Sequence, residues 1–302
     1  MARRSHNRWI VTLIPYLWMV ALFLVPFLIV FKISFSTTLI AQPPYEPIFD
    51  FLNDTWSESV EKFNSLALDN YARLFSDSIY ISSYLSSLWI AASSTFMMLF
   101  IAYPIAYGMA RAPKALRPTL VMLIILPFWT SFLIRVYAWI TILSEEGLLN
   151  SFLMGIGLID EPLLILSTNT AVYIGILYSY LPFMVLPLYS TLEKMDESLV
   201  EAAKDLGCTN IGAFWRVTFP LSLPGVIAGC FLVFIPVVGE FVIPDLLGGS
   251  DTVMIGKTMW EEFFNNRDWP AASAVAIALL IVLMVPIMIF QSNQARQQER
   301  QS

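Results

Sequence analysis

The chain has 302 residues, of which 57% are hydrophobic and only 13% are charged. Because soluble domains carry about a quarter charged residues, most of this chain is expected to lie in lipid. The net charge of -6 argues against a nucleic-acid partner, since binding a phosphate backbone requires clustered Lys and Arg. Two cysteines, Cys208 and Cys230, cannot make a disulfide framework, and the single histidine, His6, leaves no spacing for a metal site.

The N-terminus combines a short basic tail, residues 1–8, with an apolar stretch, residues 9–35. Arg3, Arg4 and Arg8 followed by apolar residues would also suit a secretory signal peptide. The apolar core of such a peptide is roughly 7 to 15 residues long, and this stretch is much longer. It is therefore predicted to be a retained first transmembrane helix.

Six apolar windows are long enough to cross a hydrocarbon core about 30 Å thick, which takes roughly 20 residues. They cover residues 9–35, 84–110, 118–143, 168–192, 221–247 and 271–292. The sequence thus predicts an all-α integral membrane protein with a first helix, an acidic outward loop at 36–83, a core of five spans at 84–292, and a tail at 293–302.

The distribution of Lys and Arg predicts the orientation, because basic flanks stay in the cytoplasm. The tails and the even-numbered loops carry Arg3, Arg4, Arg8, Arg111, Lys114, Arg117, Lys194, Lys204, Arg216, Arg296 and Arg300. The opposite side carries only Lys62, Arg73, Lys257 and Arg267, spread over longer loops. Both termini are therefore predicted to be cytoplasmic.

The first outward loop, residues 36–83, is rich in acids: Glu46, Asp50, Asp54, Glu58, Glu61, Asp69 and Asp77. A negative outer surface would attract cationic solutes or a basic docking partner. The same residues would equally serve the ordinary solubility of an exposed loop. Both interpretations stay open from the sequence.

The loop at 193–220 is predicted to be two short helices at an angle. Asp196 is a suitable N-cap for the first, and Gly207 a suitable end. Asn210 is a candidate cap for the second, and Pro220 would introduce the fifth span. Such an amphipathic pair has the form of an element that inserts into a groove of another protein. Its apolar positions recur at helical spacing: Leu199, Ala203 and Leu206.

This loop carries a motif that resembles the EAA signature of the type I ABC importer permeases. It reads Glu201-Ala202-Ala203, three residues, Gly207, nine residues, then Val217-Thr218-Phe219-Pro220. The family pattern ends in Ile-x-Leu-Pro, so Val217 and Phe219 depart from it while remaining apolar. The resemblance implies a coupling helix that docks into a cleft of an ATPase subunit and transmits its closure to the membrane.

The same resemblance implies roles for individual loop residues. Glu201 would pair with a basic residue of the ATPase, and Gly207 would provide the bend. Leu199 and Leu206 would be packing residues, beside the small Ala202 and Ala203. ATP and Mg would be bound by the partner ATPase and no cofactor by this chain, which has no Gly-x-x-x-x-Gly-Lys loop for phosphate.

Three further stretches resemble the polyamine branch of this family, the spermidine and putrescine permeases, and within it the larger permease subunit. They are residues 126–139, 239–249 and 263–270. The resemblance implies polyamine import by alternating access across the bacterial inner membrane. It also implies three partners: a second, homologous permease chain, an ATPase dimer and a periplasmic polyamine-binding protein.

Ionisable side chains within predicted spans mark functional sites by default, and here they are Glu240 and Arg135. Asp245 and Lys32 lie nearer the membrane edge, where Lys32 is able to snorkel to the interface. At 1.5 Å per residue, Glu240 and Arg135 are predicted to differ by roughly 3 Å in depth. A direct ion pair between them is one reading, and a site for a solute is the other.

The solute reading needs carboxylates for an ammonium group and aromatic faces for its charge and methylenes. Pro236, Gly239 and Pro244 interrupt the fifth span around Glu240, as broken helices do where they line a cavity. The same residues would also suit a kinked, packed helix. The hypothesis is a cation path lined by Glu240 and Asp245, with Arg135 holding one carboxylate. Tyr137 and Trp139 would line it too, unless they are membrane-interface aromatics.

Three other functions compete with this hypothesis. An ABC permease for another small solute would keep every feature of the loop. An ion-coupled secondary transporter or a channel would suit six spans with internal charges, but would need no coupling loop. An intramembrane enzyme would need a nucleophile or metal constellation, and the predicted spans contain no histidine and no paired hydrolase motif. The chain is therefore predicted to be a transport subunit and not an enzyme.

Overall fold

The computed structural model describes residues 6–50 and 53–299, which are mostly helical. Arg3, Arg4 and Arg300, which contribute to the orientation argument, lie outside the described residues, as does most of the tail predicted at 1–8. The tail predicted at 293–302 begins inside a helix that continues to Glu299. Its first seven residues are therefore helical, which the hydropathy window did not predict.

The described residues of the first half of the chain form eight α-helices and a two-stranded antiparallel sheet in which Thr37 pairs with Glu46 and Thr38 with Tyr45. A π-helical turn, Val20–Leu24, joins the first two helices into one rod. The elements are α1 His6–Met19, α2 Val25–Ile33, β1 Thr37–Thr38, β2 Tyr45–Glu46, α3 Trp56–Asn64, α4 Asp69–Ser76, α5 Ser78–Arg111, α6 Arg117–Ile125, α7 Phe132–Leu143 and α8 Leu148–Gly155.

The second half, as far as the structure describes it, to Glu299, contains seven α-helices. Two π-helical turns, Phe214–Thr218 and Glu261–Asn265, continue helices across sequence positions where regular α-helix stops. The elements are α9 Asn169–Glu193, α10 Glu197–Asp205, α11 Asn210–Ala213, α12 Phe219–Val238, α13 Val242–Leu246, α14 Ile255–Trp260 and α15 Trp269–Glu299.

Four helices of the described chain are long and apolar enough to cross a membrane. They are Thr12–Ile33, Ser78–Arg111, Asn169–Glu193 and Asn210–Val238. A fifth candidate is the pair Arg117–Trp129 and Phe132–Gly155, and the apolar part of α15, Trp269–Val285, is shorter than the others. The chain is a multi-pass membrane protein with four such spans, or five if the bent pair is one span, among its described residues.

The third window, 118–143, is not the single straight helix that hydropathy predicts. The segments Arg117–Trp129 and Phe132–Gly155, which together cover almost all of this window, meet at an angle of 87°. Leu126–Trp129 forms a 3-10 turn, after which Thr130 and Ser131 are extended. Pro127 within the turn has no N–H to continue an α-helix, and the Thr130 side chain bonds to the Pro127 carbonyl at 2.8 Å. A hydropathy window averages the hydrophobicity of side chains and contains no information on backbone hydrogen bonding, so it does not predict this bend.

The described residues form two compact units. One unit comprises the described parts of Met1–Ile81 and Thr258–Ser302, and the other comprises Ser82–Lys257. In the first unit, the Arg73 guanidinium lies 2.9 Å from Asp268 and the Tyr80 hydroxyl donates to Glu262 at 2.7 Å. These contacts tie the outward loop to the segment that precedes α15.

The acids of the outward loop are largely used within the loop. Asp54 pairs with Lys62 at 2.6 Å, and this bond lowers the pKa of the Asp54 carboxyl. Glu58 completes a capping box at the start of α3, where the backbone N–H of Thr55 lowers the pKa of the Glu58 carboxyl. This geometry favours a local structural role for both acids over attraction of a cationic partner.

The core of the second unit is the packing of α9 against α12. Buried side chains of both helices meet there: Ile176, Met184, Val185, Leu188, Val233 and Val237. The helices approach closely because Gly225 and Gly229 face α9. A Cβ on Gly225 would lie 2.9 Å from the carbonyl oxygen of Pro187, and one on Gly229 would lie 2.7 Å from the sulfur of Met184. Small residues four apart are a common device for packing membrane helices.

Candidate functional site

The fifth window is broken at Glu240, as the sequence predicts. Helix α12 ends at Val238, the chain turns through Gly239 to Phe241, and α13 begins at Val242. Pro236 and Pro244 flank the break within the two helices and reduce the number of backbone donors available to continue one helix. The break leaves the N-terminal N–H groups of α13 without intrahelical partners.

The Glu240 carboxylate satisfies these donors. Its Oε1 accepts from the backbone N–H of Val242 at 2.9 Å and of Ile243 at 3.3 Å. Its Oε2 accepts from the hydroxyl of Tyr180, which projects from α9. With only 7% of its surface exposed, Glu240 is thus compensated by three hydrogen-bond donors, two of which are the first N–H groups of α13.

Arg135 lies in the first turn of α7 and is 9% exposed. Its guanidinium carbon is 5.1 Å from the ring centre of Phe128 and 5.7 Å from that of Phe132, distances typical of cation–π contacts. Its Nε has no hydrogen-bond partner within the described part of the chain. The ion pair with Glu240 that the sequence left open is not among those the described residues form.

Glu240 and Arg135 nevertheless line the same cavity, which has a volume of about 680 Å³. The wall combines one carboxylate, one guanidinium and several aromatic rings, contributed by α7, α9, the 3-10 turn and the break in the fifth window. The residues are Phe128, Thr130, Phe132, Arg135, Ser179, Tyr180, Phe183, Pro236, Gly239, Glu240, Phe241 and Val242. Carboxylate and aromatic faces together suit an organic cation.

The structure does not bring the other three predicted path residues to this wall. Asp245 lies 3.7 Å from Lys257 instead. Tyr137 is 55% exposed, because two helical positions after Arg135 place it about 200° around α7. Trp139, a full turn beyond Arg135, packs edge-on against Tyr178 at 5.4 Å.

The cavity wall includes residues that the sequence analysis did not single out. Tyr180 and Phe183 come from α9, a span without ionisable groups in its apolar centre, so the search for intramembrane charges passed over it. A weak signal exists, since Ser179, Tyr180 and Phe183 place polar and aromatic groups around Pro182 in mid-helix. Phe128 sits in the bend that hydropathy did not predict.

A second cavity, of about 580 Å³, lies in the same unit. Aromatic and apolar side chains of α6 and α9 form most of its wall, and charged residues lie at one end. The residues are Lys114, Arg117, Pro118, Val121, Met122, Ile125, Trp129, Tyr189 and Glu193. Neighbouring residues of the 3-10 turn, Phe128 and Trp129, thus line different cavities.

The loop at 193–220 has the predicted helix pair with one correction. Helix α10 is capped by Asp196, which accepts from the Ser198 N–H at 3.0 Å, a bond that lowers the pKa of the Asp196 carboxyl. Gly207 follows the helix end with φ +86°, a conformation that favours glycine. The cap of α11 is Thr209 and not Asn210, because the Thr209 hydroxyl reaches the Gly212 N–H at 3.1 Å.

The first part of the EAA motif faces solvent more than its last part, in which Val217 and Phe219 are half-buried and Thr218 is buried. Glu201 and Ala202 are exposed and Ala203 is half-buried. Leu199 and Leu206 are 47% and 87% exposed, so they do not pack within the chain. Two ion pairs, Arg111 with Glu197 at 3.0 Å and Arg117 with Glu193 at 3.5 Å, place the second and fourth loops together. Apolar side chains left exposed beside a helix pair are typical of a protein contact surface.

Two solved structures share the fold of nearly the whole chain. One is a bacterial ABC transporter involved in the import of the acidic polysaccharide alginate, and the other is the alginate transporter with an alginate pentasaccharide-bound periplasmic protein. Each match has a TM-score of 0.69 and covers 98% of this chain and 96% of the other, at 16% and 15% identity. The chain therefore shares its fold with a chain of these transporters.

Residues 1–300 match the family described as binding-protein-dependent transport system inner membrane components, and the chain belongs to this family. It is 46% identical to the spermidine/putrescine transport system permease protein PotB of Salmonella typhimurium (strain SL1344), over 74% of this chain and 77% of that protein. The PotB proteins of Escherichia coli (strain K12) and Haemophilus influenzae are 45% and 42% identical, over 74% of this chain and 81% and 78% of theirs. The chain is a permease subunit, as the sequence predicted.

Proposed function

We propose that this permease subunit imports polyamines, putrescine or spermidine, into the cytoplasm by alternating access. The observation that carries the proposal is the Glu240 carboxylate on the aromatic wall of the 680 Å³ cavity. The similarity of the chain to the PotB proteins, which are named for spermidine and putrescine transport, supports the same substrate class.

The cavity matches the chemistry of a polyamine. Each substrate is a flexible chain of methylenes that carries two or more ammonium groups. One ammonium would contact Glu240 and the π-faces of neighbouring rings, while Phe128 and Phe183 would cover methylenes. Arg135 on the same wall balances the charge of Glu240, which would keep the resting affinity for a dication moderate and its release fast.

The two cavities follow α9 and would form successive parts of a path. Tyr180 and Phe183 line the first cavity, and Tyr189 and Glu193 line the second. Nine residues separate Tyr180 from Tyr189, which corresponds to about 14 Å along a helix. Alternating access would open one cavity while the other closes, and the bend that carries Phe128 and Trp129 contributes to both walls.

A single helix connects the coupling loop with the break at Glu240. The helical segment Asn210–Val238 runs from the second part of the loop to the residue before Gly239. When an ATPase subunit moves the loop, this segment would transmit the displacement to α13 and the carboxylate. Glu201 and the exposed Leu199, Ala202 and Leu206 would be the contact residues.

The proposed assembly consists of this chain, a second homologous permease, two ATPase subunits that bind ATP and Mg, and a periplasmic polyamine-binding protein. The chain would cross the bacterial inner membrane six times with both termini in the cytoplasm. The bent pair Arg117–Trp129 with Phe132–Gly155 and the short apolar part of α15 would be the third and sixth spans.

Proteoliposome uptake with the co-purified complex tests the proposal. Radiolabelled putrescine and spermidine are offered with and without ATP inside and binding protein outside. We expect accumulation of at least one amine only when both ATP and binding protein are present. Uptake driven by an ion gradient alone would contradict the ABC mechanism, and ATP-dependent uptake restricted to another solute would contradict the polyamine assignment.

A further inference from the structure

The Glu240 carboxylate and the Arg135 guanidinium share a cavity wall without forming an ion pair within the described residues. Opposite charges in a poorly solvated site attract one another strongly. Both side chains are more than nine-tenths buried, and the Nε of Arg135 has no acceptor in the described chain. Some part of the structure must therefore hold the carboxylate where it is.

Three donors hold the carboxylate, and Tyr180 supplies the only side-chain one found in the described structure. The two backbone N–H groups bind Oε1, while the Tyr180 hydroxyl binds Oε2. Without that hydroxyl, Oε2 would have none of these three donors, and only Oε1 would remain held, by the two backbone N–H groups. Tyr180 thus decides where the second oxygen points.

A series of aromatic contacts connects the surroundings of the two charged groups. Tyr180 packs against Phe183 with ring centres 6.0 Å apart, and Phe183 meets Phe128 edge-on at 5.2 Å. The Arg135 guanidinium lies over Phe128. These four side chains and Glu240 line the same cavity. The aromatic rings therefore follow its wall from the Glu240 carboxylate to the Arg135 guanidinium.

We propose that Tyr180 is a positioning residue for transport: its hydroxyl holds the Glu240 carboxylate away from Arg135, so that the cavity offers a carboxylate to a cation instead of an internal ion pair. The inference rests on the proposed function, because it assumes that the transported solute is an organic cation. A carboxylate already paired with Arg135 would have to be released before it could bind an ammonium, which would weaken binding of the solute.

The experiment measures uptake kinetics in proteoliposomes for Tyr180→Phe, Arg135→Gln and the double variant, each as the assembled complex with binding protein and ATP. Tyr180→Phe removes one oxygen and keeps the ring. We expect its KM for putrescine or spermidine to rise about tenfold, the effect of one hydrogen bond to a charged group, with kcat within about twofold of wild type. The control is Tyr178→Phe on the same helix, whose ring contacts Trp139 and not the cavity.

The Arg135→Gln background separates positioning from packing. If Tyr180 acts by keeping the two charges apart, removing Arg135 removes the competitor, so that Tyr180→Phe then changes KM by less than about threefold. A tenfold rise that persists without Arg135 overturns the proposal, as does an unchanged KM in the single variant or failure of Tyr180→Phe to assemble. If the wild-type complex transports no polyamine, the proposed function itself is wrong. The wild-type measurement gives this result independently of the variants.

Discussion

Glu240 is the residue on which the candidate site depends. A charged side chain within a membrane span is costly unless it has partners, and Glu240 has three hydrogen-bond donors. Asp245, five positions later, has a different partner: its Oδ1 lies 3.7 Å from the Nζ of Lys257, with which it forms an ion pair. Two carboxylates in one broken span therefore have different roles: one faces a cavity, and the other belongs to an ion pair.

Replacing Glu240 by Gln tests this difference at the residue scale. The amide keeps an oxygen for the α13 N–H groups but loses the charge that would bind an ammonium. We expect uptake at low polyamine concentration to fall about tenfold or more, the value of a charge-assisted hydrogen bond, with normal assembly of the complex. The measurement is initial uptake rate together with co-purification of the ATPase.

The matched control for that variant is Asp245→Asn, which makes the same chemical change in the same span. It lies off the cavity wall, so its uptake is expected to stay within about twofold of wild type, since exposed ion pairs contribute little. Equal losses of uptake in both variants, or loss of assembly in Glu240→Gln, would contradict a specific contact between Glu240 and the solute.

At the scale of elements, the α9–α12 pair supports the site. Helix α9 carries Tyr180 and Phe183, and α12 leads directly to Glu240, so the geometry of the carboxylate and its donor depends on how these helices pack. Gly225 and Gly229 allow the close approach. Their spacing forms a Gly-x-x-x-Gly motif that is visible in the sequence.

Gly225→Val is expected to disrupt this packing. A Cβ at Gly225 would lie 2.6 Å from the Thr191 hydroxyl and 2.9 Å from the Pro187 carbonyl oxygen, and the backbone carbonyl has no room to move. Overpacking of this kind costs about 1–3 kcal/mol. The midpoint of thermal denaturation of the detergent-solubilised complex should fall by roughly 5 °C.

Ala228→Val on the same helix provides the comparison, because Ala228 is exposed and an added branch there meets no packed helix. Its denaturation midpoint should match that of wild type to within about 1 °C, as is usual for exposed sites. If Gly225→Val were equally stable, α9 and α12 would not require the close approach.

At the scale of the whole molecule, the arrangement of basic loops bears on orientation. Arg111 pairs with Glu197 and Arg117 with Glu193, so the second and fourth loops lie at the same end of their unit. The positive-inside rule assigns that end to the cytoplasm. The EAA loop would then face an ATPase, and the outward loop with α3 and α4 would face the periplasm.

Cys208 offers a native reporter of this orientation, since it lies in the coupling loop and is partly exposed. In a Cys230→Ser background, a membrane-impermeant maleimide should label Cys208 in inside-out vesicles and not in intact spheroplasts. A second protein that carries Ser57→Cys in α3, with Cys208→Ser and Cys230→Ser, should show the reverse pattern. Labelling of Cys208 from the outside would overturn the assigned topology.

The class of protein, the apolar segments, the coupling loop and the break at Glu240 could be predicted from the sequence. The class of protein and the coupling role of the loop were predicted from the resemblance to the EAA signature. The apolar segments and the break depend on local chemistry: hydropathy over about 20 residues, and prolines or glycines that interrupt hydrogen bonding. The cap of α10 at Asp196 was predicted for the same reason. The cap of α11 was misplaced by one residue because Thr209 and Asn210 both suit a cap and only the backbone path distinguishes them.

The composition and length of the chain, with the positions of Pro, Gly and Lys/Arg, determined by themselves that it is a helical membrane protein with a charge at a helix break. The resemblance of the loop at 193–220 to the EAA signature indicated in addition that it is a permease. Only the tertiary structure decided what that charge contacts. Tyr180 and the rings of Phe128 and Phe183 reach the cavity because particular helix faces meet, and Tyr137 and Asp245 do not because their faces point elsewhere. Which faces meet depends on packing between segments far apart in the chain, which the pattern of any one segment does not contain.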